Sequence, residues 1–182
     1  MESLQTAIAE ARERYVSANP LSLAADREAE RYLPGGNTRT VLHFDPFPLT
    51  MVSGEGAELV DLDGHRYVDF VCEYSAGLFG HSEEVVKVAV RKAMEMGIAL
   101  GAPTEYERRL AELLCRRFPG IDQIRFCNSG TEANIWAMTT ARMLTGRDTF
   151  MAFEGAYHGG VIKFPHGPCP LKLPFDFVLA DY

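Results

Sequence analysis

The sequence predicts an α/β fold that follows an N-terminal segment of helices and a small antiparallel meander. Three patterns predict it: helical periodicity near the N-terminus, period-two alternation from residue 49 to 70, and alternating helix and strand patterns after residue 80. The predicted organisation is an N-terminal segment over residues 1–80 and an incomplete large domain over residues 81–182.

The N-terminal segment contains two predicted helices and three predicted strands. Helical periodicity covers residues 3–17 and about 23–32, and proline and glycine then predict an extended loop to Pro48. The strands are predicted over residues 49–52, 57–61 and 66–70. Asp63-Gly64 predicts a type I′ turn between the last two, which makes this part a meander.

Capping residues place three further helices after residue 80. The predicted starts and stops are, in chain order, Ser82 and Gly97, Thr104 with Glu107 and Pro119-Gly120, and Ser129 with Glu132 and Gly146. On the first of these helices the positions expected to face inward are Val85, Val86, Ala89 and Met94. Further strands are predicted over residues 123–127, 149–153 and 175–180. Strands that alternate with helices predict a parallel sheet.

Composition excludes several classes of function. The 182 residues carry a net charge of −7, which disfavours nucleic acid and anionic membrane surfaces. No apolar run is long enough to span a bilayer, and the acidic N-terminus lacks a signal-peptide pattern, so a cytoplasmic location is expected. The four cysteines show no paired spacing, so neither a metal site nor a disulfide is predicted.

The most informative motif runs from Ile124 to Ala133. An apolar stretch leads into Ser129, Gly130 and Thr131, which open a helix. The free N–H groups of a first helical turn, the helix dipole and two hydroxyls suit a phosphate group. The motif alone leaves open that Ser129 only caps the helix.

A second motif, Phe153 to Gly160, follows the next predicted strand. Because neighbouring parallel strands end at the same sheet edge, Tyr157 is expected near the phosphate pocket, where its ring could stack on a planar cofactor. His158 is either a polar contact or a turn residue, and the whole segment could also be a glycine-rich turn with a surface tyrosine.

Together the two motifs resemble the class III pyridoxal-phosphate aminotransferases, in the branch that contains glutamate-1-semialdehyde 2,1-aminomutase. Further similar segments are "LPGGNTRT", "GEGAELVDLDGHRYVDF" and "GAPTEYERRLAELL", and they look most like the β-phenylalanine aminotransferase type. The resemblance implies the N-terminal part of a fold type I transferase that uses pyridoxal 5′-phosphate and forms homodimers. Its substrates would be small amino acids and keto acids.

The resemblance also implies roles for particular residues. Ser129, Gly130 and Thr131 match the phosphate-binding turn, while Tyr157 matches the ring-stacking residue and is accompanied by His158. Two further residues match substrate-binding positions: Arg39, whose planar guanidinium suits a carboxylate, and Tyr74, which would line the substrate pocket. A solvated arginine and a core tyrosine are the plain alternatives.

The Schiff-base lysine and the acidic partner of the pyridine nitrogen are expected to be absent. None of the four lysines follows an acid-bearing strand in the order that the resemblance implies; they are Lys87, Lys92, Lys163 and Lys172. No catalytic residue is therefore predicted in this chain, which is expected to be a fragment that is inactive alone.

Three functions remain open at the level of sequence. The parent activity is either transamination, with a β-amino acid favoured by Arg39, or amino transfer within one molecule in the aminomutase manner. The third is a non-catalytic remnant. A dinucleotide site is disfavoured because the glycines at 54 and 56 lie in the meander, and a hydrolase is disfavoured because Ser129 lacks a GxSxG elbow.

Overall fold

The computed structural model describes residues 3–162 and 173–181. Its elements are, in chain order, α1 (Leu4–Ala18), α2 (Pro20–Ala29), β1 (Met51–Glu55), β2 (Glu58–Asp61), β3 (Arg66–Val68), α3 (Glu84–Glu95), α4 (Glu105–Arg117), α5 (Gly130–Thr145), β4 (Thr149–Phe153) and β5 (Asp176–Ala180). Short 3₁₀ turns cover Pro34–Gly36, Thr40–Leu42 and Cys72–Ser75. None of the helices in the described ranges is long and apolar enough to cross a membrane.

Contacts divide the chain into two compact units, Met1–Ala99 and Leu100–Tyr182. The first unit contains α1 to α3 and the meander, and the second contains α4, α5, β4 and β5. The domain boundary predicted after residue 80 rests on the change of sequence pattern, and it stays a prediction.

Helix α2 begins three residues before the predicted start. Pro20 occupies its first position, where a missing N–H costs no hydrogen bond. The next two N–H groups, of Leu21 and Ser22, donate to the two carboxylate oxygens of Asp63 at 2.7 and 2.9 Å. A carboxylate 42 residues away along the chain thus caps α2 and sets its start.

The antiparallel meander has the order β1-β2-β3, as predicted. The predicted type I′ turn is wrong: in the loop from Leu62 to Gly64 only the glycine has a positive φ, of 89°. Three-residue hairpin loops with one left-handed glycine are the next most common class. The loop turns Asp63 toward α2, where its carboxylate makes the cap described above.

A buried carboxylate lies beside this hairpin. The Asp61 side chain is fully buried, accepts a 2.7 Å hydrogen bond from the Tyr67 hydroxyl, and lies 3.0 Å from His65 Nδ1. Burial is the largest influence and raises the pKa of Asp61, but the hydrogen bonds from Tyr67 and His65 outweigh it and hold that pKa below its usual value. Burial and the bond to Asp61 raise the pKa of Tyr67 to about 12.

Helix α1 is held to the loop before the meander by one tyrosine. The Tyr15 hydroxyl donates to the Phe47 carbonyl at 2.8 Å, and the two rings lie 5.0 Å apart. Phe47 is 1% exposed and forms the apolar centre of this contact. Burial, and then the charge of Asp61, raises the pKa of Tyr15.

Helix α3 departs from the prediction in its cap. Ser82 does not cap it, because the Ser82 hydroxyl accepts the N–H of Gly56 at 2.8 Å. Glu83 is the cap instead, and its carboxylate accepts the N–H of Val85 at 3.3 Å. The hydroxyl predicted to start a helix thus ties that helix to the meander.

The apolar face of α3 is exposed, which corrects the prediction that it faces inward. The structure buries no residue of this helix. Val85 is 74% exposed and Met94 is 58% exposed, and Val86 and Ala89 are exposed as well. Because no element in the described ranges covers this face, its amphipathic pattern is unpartnered here.

In the second unit, α4 begins at Glu105 as predicted, but the predicted capping box does not form. Thr104 is the N-cap by its extended backbone and makes no side-chain capping bond. The acidic side chains of Glu105 and Glu107 lie in the first turn, where the helix dipole favours them.

The strand predicted over residues 123–127 is not formed. A strand requires a neighbour to share its backbone hydrogen bonds, and in the described part of the chain the parallel pair is β4 with β5. These two strands confirm the predicted parallel pairing, with Thr149 opposite Asp176 and Phe153 opposite Ala180. Ala152 and Ile162 form the buried core of this unit, against Ile135, Met138, Leu173 and Phe177.

Candidate functional site

The first turn of α5 is fixed by a reciprocal pair of side-chain bonds. The Ser129 hydroxyl accepts the N–H of Glu132 at 3.1 Å, as the predicted capping box requires. The Glu132 carboxylate accepts the N–H of Asn128 at 2.9 Å rather than that of Ser129. At its other end α5 stops at Gly146, which has a φ of 66° as a left-handed cap.

This turn retains open hydrogen-bond donors. No acceptor within residues 3–162 and 173–181 receives the N–H of Gly130 or of Thr131. A Cβ at Gly130 would meet nothing within 4 Å, so the space beside the backbone is free. The Ser129 and Thr131 hydroxyls each accept one bond and still have a proton to donate. Two N–H and two O–H groups at the positive end of a helix suit a phosphate.

The segment after β4 lies against this turn. The N–H of Gly160 donates to the Thr131 hydroxyl at 3.0 Å, and the Asn134 side-chain amide donates to the His158 carbonyl at 2.8 Å. Gly159 has a φ of 125°, and a Cβ there would lie 2.5 Å from Thr131 Oγ1. The structure therefore brings together the two motifs that the sequence singled out within this unit.

Tyr157 is 58% exposed at the edge of this arrangement, and His158 is half-buried. An exposed aromatic ring beside an open anion cradle can cover one face of a flat ligand. The roles assigned to Tyr157, His158 and the α5 turn in holding a cofactor stay predictions.

The two predicted substrate-binding residues lie in the first unit. The Arg39 guanidinium donates to the carboxylate of Glu73. The Tyr74 hydroxyl donates to the Val41 carbonyl at 3.4 Å, and its side chain is 63% exposed. Arg39 and the loop that carries Tyr74 are thus neighbours, and the Arg39 guanidinium is paired with the Glu73 carboxylate; the substrate-binding roles of Arg39 and Tyr74 stay predictions.

The loop that carries Tyr74 has an unusual backbone. Four consecutive non-glycine residues, Cys72 to Ser75, have φ values from 48° to 83°. Such a run is unfavourable for L-residues and needs support from its surroundings. The Asp69 carboxylate gives that support by accepting the N–H groups of Val71 and Cys72, each at 2.9 Å.

Asp69 is held in turn by His81, whose Nε2 lies 3.0 Å from the carboxylate. The N–H of Cys72 is the largest influence on the pKa of Asp69, and with the other donors it lowers that pKa against the effect of burial. The His81 ring packs on Gly54, where a Cβ would come within 2.7 Å of the ring.

Sequence reasoning missed several residues of both regions. Glu73, Asp69 and His81 carry no local signal, because their partners are distant or depend on the left-handed loop. Asn134 offered a weak signal, since asparagine is a poor helix former and lies one turn beyond the cradle. The described ranges contain no group of three or more acidic, histidine or cysteine side chains arranged to hold a metal ion.

The sequence of this chain is similar to the sequences of known proteins. The family model described as "Aminotransferase class-III" matches residues 42–164. The chain is 49% identical over 180 residues to the β-phenylalanine transaminase of Variovorax paradoxus, covering 99% of this chain and 42% of that protein. It is 41% identical over 160 residues to the glutamate-1-semialdehyde 2,1-aminomutase 2 of Shouchella clausii, covering 84% of this chain and 37% of that protein.

Solved structures of transaminases superimpose on this chain over the part that it covers. The crystal structure of the Variovorax paradoxus β-phenylalanine aminotransferase superimposes with a TM-score of 0.93, over 99% of this chain and 42% of that one. A structure described as a transaminase with PLP bound superimposes with a TM-score of 0.81 at 29% identity, over 90% of this chain and 42% of that one. The chain thus spans about two fifths of the length of the proteins that it matches.

Proposed function

Since the chain belongs to the class III aminotransferase family, we propose that it forms part of a pyridoxal-phosphate enzyme that transfers an amino group. When bound, the cofactor supplies an electron sink for the bonds at the carbon that carries the amino group. The observation that supports this most is the open first turn of α5 with the loop of Tyr157 bonded to it.

The residues present fit the cofactor's phosphate. The N–H groups of Gly130 and Thr131, with the hydroxyls of Ser129 and Thr131, offer donors to a dianion at the positive end of a helix. We assign Tyr157 to one face of the pyridine ring and His158 to a polar contact beside it. This chain would therefore bind and orient the cofactor.

Arg39 and Tyr74 are assigned to the substrate. A substrate carboxylate would replace Glu73 on Arg39, and the Tyr74 ring would line the pocket for the rest of the molecule. The identity of 49% to a β-phenylalanine transaminase favours transamination of a β-amino acid. The aminomutase, at 41% identity, is the second candidate.

We also propose that none of the four lysines holds the cofactor covalently. Lys87 and Lys92 are exposed on α3, and Lys163 and Lys172 lie outside the described residues. The chain alone then binds the cofactor reversibly and does not turn over substrate.

A titration of pyridoxal phosphate with this chain tests the binding, followed by absorbance and by competition with inorganic phosphate. We expect saturable binding that phosphate displaces. Borohydride treatment and peptide mass spectrometry should find no cofactor fixed to a lysine. Cofactor fixed to one of the four lysines would refute the proposal that none of them holds it covalently. Absence of any binding would refute the proposal that the first turn of α5 binds the cofactor's phosphate.

A chimera tests the reaction. This chain would replace the matching segment of the Variovorax paradoxus transaminase, whose structure superimposes on it with a TM-score of 0.93. We expect the chimera to transaminate β-phenylalanine with 2-oxoglutarate and to leave glutamate-1-semialdehyde unchanged. The Arg39→Ala chimera should show a KM for the amino acid raised by more than about tenfold, because the carboxylate contact is lost.

The proposal extends to assembly and location. The family resemblance suggests a homodimer, and the acidic N-terminal segment suggests a cytoplasmic location. The exposed apolar face of α3 would suit burial in a larger structure. Light scattering of the chimera, which should have the mass of a dimer, tests the first point.

A further inference from the structure

Asn134 lies on α5, one turn beyond the open donors of the cradle. Gly130 and Asn134 are four residues apart and so share one face of the helix. The Asn134 side chain reaches the segment after β4, and its Nδ2 donates to the carbonyl of His158 at 2.8 Å. Because a carbonyl can only accept, the amide nitrogen and not the amide oxygen must face His158.

Three consecutive residues of that segment are constrained by α5. His158 is held through its carbonyl by Asn134, and Gly160 is held through its N–H by Thr131. Gly159, between them, packs so closely on Thr131 that a Cβ would lie 2.9 Å from the Thr131 Cα. The segment therefore has a defined distance from the helix.

Tyr157 directly precedes these three residues and is not held by its own side chain. Within residues 3–162 and 173–181, no hydrogen bond or ring contact involves the Tyr157 phenol, and the ring is 58% exposed. Its position is consequently set by the backbone on either side: before it the Ala156 N–H donates to the Phe153 carbonyl at 3.2 Å, and the first tie after it is the bond from Asn134 to His158.

We propose that Asn134 is a positioning residue, which holds the Tyr157 ring at the separation from the phosphate cradle that a phosphorylated planar ring requires. This inference rests on the proposed function, because it assumes that the α5 turn holds the cofactor's phosphate. It adds that the chain separates two tasks: residues 129–131 bind the phosphate, and Asn134 sets the ring contact.

This division predicts a split between two ligands. Inorganic phosphate has no ring, so its affinity depends on the cradle alone. In Asn134→Ala we expect inorganic phosphate to bind as in the wild type and pyridoxal phosphate to bind about tenfold more weakly, the order of one lost hydrogen bond and its ring contact. A purely structural defect in α5 would weaken both ligands together.

Two further variants sharpen the test. Asn134→Asp keeps the shape but places an acceptor against the His158 carbonyl, so the tie to the segment should be lost as in Asn134→Ala. Its charge would also repel a phosphate in the cradle, so this variant serves only the hydrogen-exchange measurement. Thr139→Ala is the matched control on the same helix, since within the described ranges its hydroxyl bonds only to the Ile135 and Trp136 carbonyls of α5. It should leave both affinities unchanged.

A cofactor-free measurement completes the experiment on the chain as it stands. Hydrogen exchange of the peptide that spans residues 154–162 should be about tenfold faster in Asn134→Ala and Asn134→Asp than in the wild type or Thr139→Ala. Unchanged exchange, or equal losses of phosphate and pyridoxal phosphate affinity, would overturn the inference. A wild type that binds neither ligand would instead overturn the proposed function, and the ring-positioning role with it.

Discussion

Two helices of this chain begin in the same way and end up with opposite chemistry. The N-termini of α2 and α5 each present backbone N–H groups that have no partner within the helix, at the positive end of a helix dipole. At α2 the N–H groups of Leu21 and Ser22 donate to the Asp63 carboxylate. At α5 the N–H groups of Gly130 and Thr131 have no acceptor in the described ranges.

The difference lies in whether the chain supplies the anion. Ser22 is fully buried, and the Asp63 carboxylate on the hairpin loop accepts its N–H. Gly130 has open space where a side chain would be. The start of α2 is filled by a carboxylate of its own chain and has a structural role, whereas the start of α5 stays open and is where we propose that a ligand binds.

The largest effect on pyridoxal phosphate affinity is expected from adding a side chain at Gly159, where the segment after β4 packs on Thr131. In Gly159→Ala the new Cβ would lie 2.5 Å from Thr131 Oγ1, on a residue whose φ is 125°. Strain of about 2 kcal/mol or more should push the loop away and weaken pyridoxal phosphate at least thirtyfold, as measured by titration. Gly160→Ala is the control, because a Cβ there would meet nothing within 4 Å. Equal losses in both variants would contradict this account.

Removing the Asp63 cap from the start of α2 should have the next largest effect. Asp63→Ala removes the acceptor of two N–H groups, so the melting temperature should fall by several degrees. The vacated α2 start should then respond to an added anion. Phosphate, compared with chloride at equal ionic strength, should stabilise Asp63→Ala more than the wild type.

Asp63→Asn serves as the control for that prediction, because its amide oxygen keeps one acceptor and its loss of stability should be smaller. If calorimetry shows that phosphate stabilises all three proteins equally, α2 does not behave as a vacated anion site.

A smaller effect is expected from a single hydroxyl of the cradle. Thr131→Val keeps the shape of the side chain but removes the acceptor of the Gly160 N–H and one donor to the phosphate. Inorganic phosphate should bind about fivefold more weakly, and pyridoxal phosphate should lose at least as much affinity because the tie to Gly160 is lost as well. Thr131→Ser keeps the hydroxyl and should bind as the wild type does. Loss of pyridoxal phosphate affinity alone would contradict the assignment.

The smallest effect is expected in the pH dependence of stability, through Asp61, Asp63 and Tyr67 of the meander. The folded-state pKa values of Asp61 and Asp63 are lowered, so the stability that they contribute is present above their usual pKa of 3.8 and is lost as the pH falls below it. The pKa of Tyr67 is raised from 10.0 to about 12, so its contribution is present below pH 10.0 and is lost as the pH rises toward 12.

Melting temperatures across the pH range measure both limbs. Tyr67→Phe should flatten the alkaline limb in part, because the pKa of Tyr15 is raised as well. It should also reduce the share of the acidic limb that comes from Asp61, whose carboxylate loses the bond from the phenol, and leave the share of the Asp63 cap in place. An unchanged alkaline limb in Tyr67→Phe would show that another group titrates there.

The sequence predicted the ends of α5, whose first turn is open, better than the start of α2, which Asp63 caps. The start of α5 at Ser129 and its stop at Gly146 depend on bonds within a few residues, so local pattern sufficed. The cap of α2 depends on Asp63, 42 residues away, and no local rule finds it. The strand expected at 123–127 fails for a related reason: pairing depends on a neighbour that local alternation cannot supply.

The long reach of Asp63 has a consequence for how the chain is made. A ribosome adds Leu21 well before Asp63, 42 residues later, so at roughly 5–20 residues per second the two are separated by about 2–8 s. During that interval the start of α2 has emerged without its cap. The hairpin loop therefore sets the earliest moment at which α2 can be capped, and slow codons between the two positions would prolong the uncapped state.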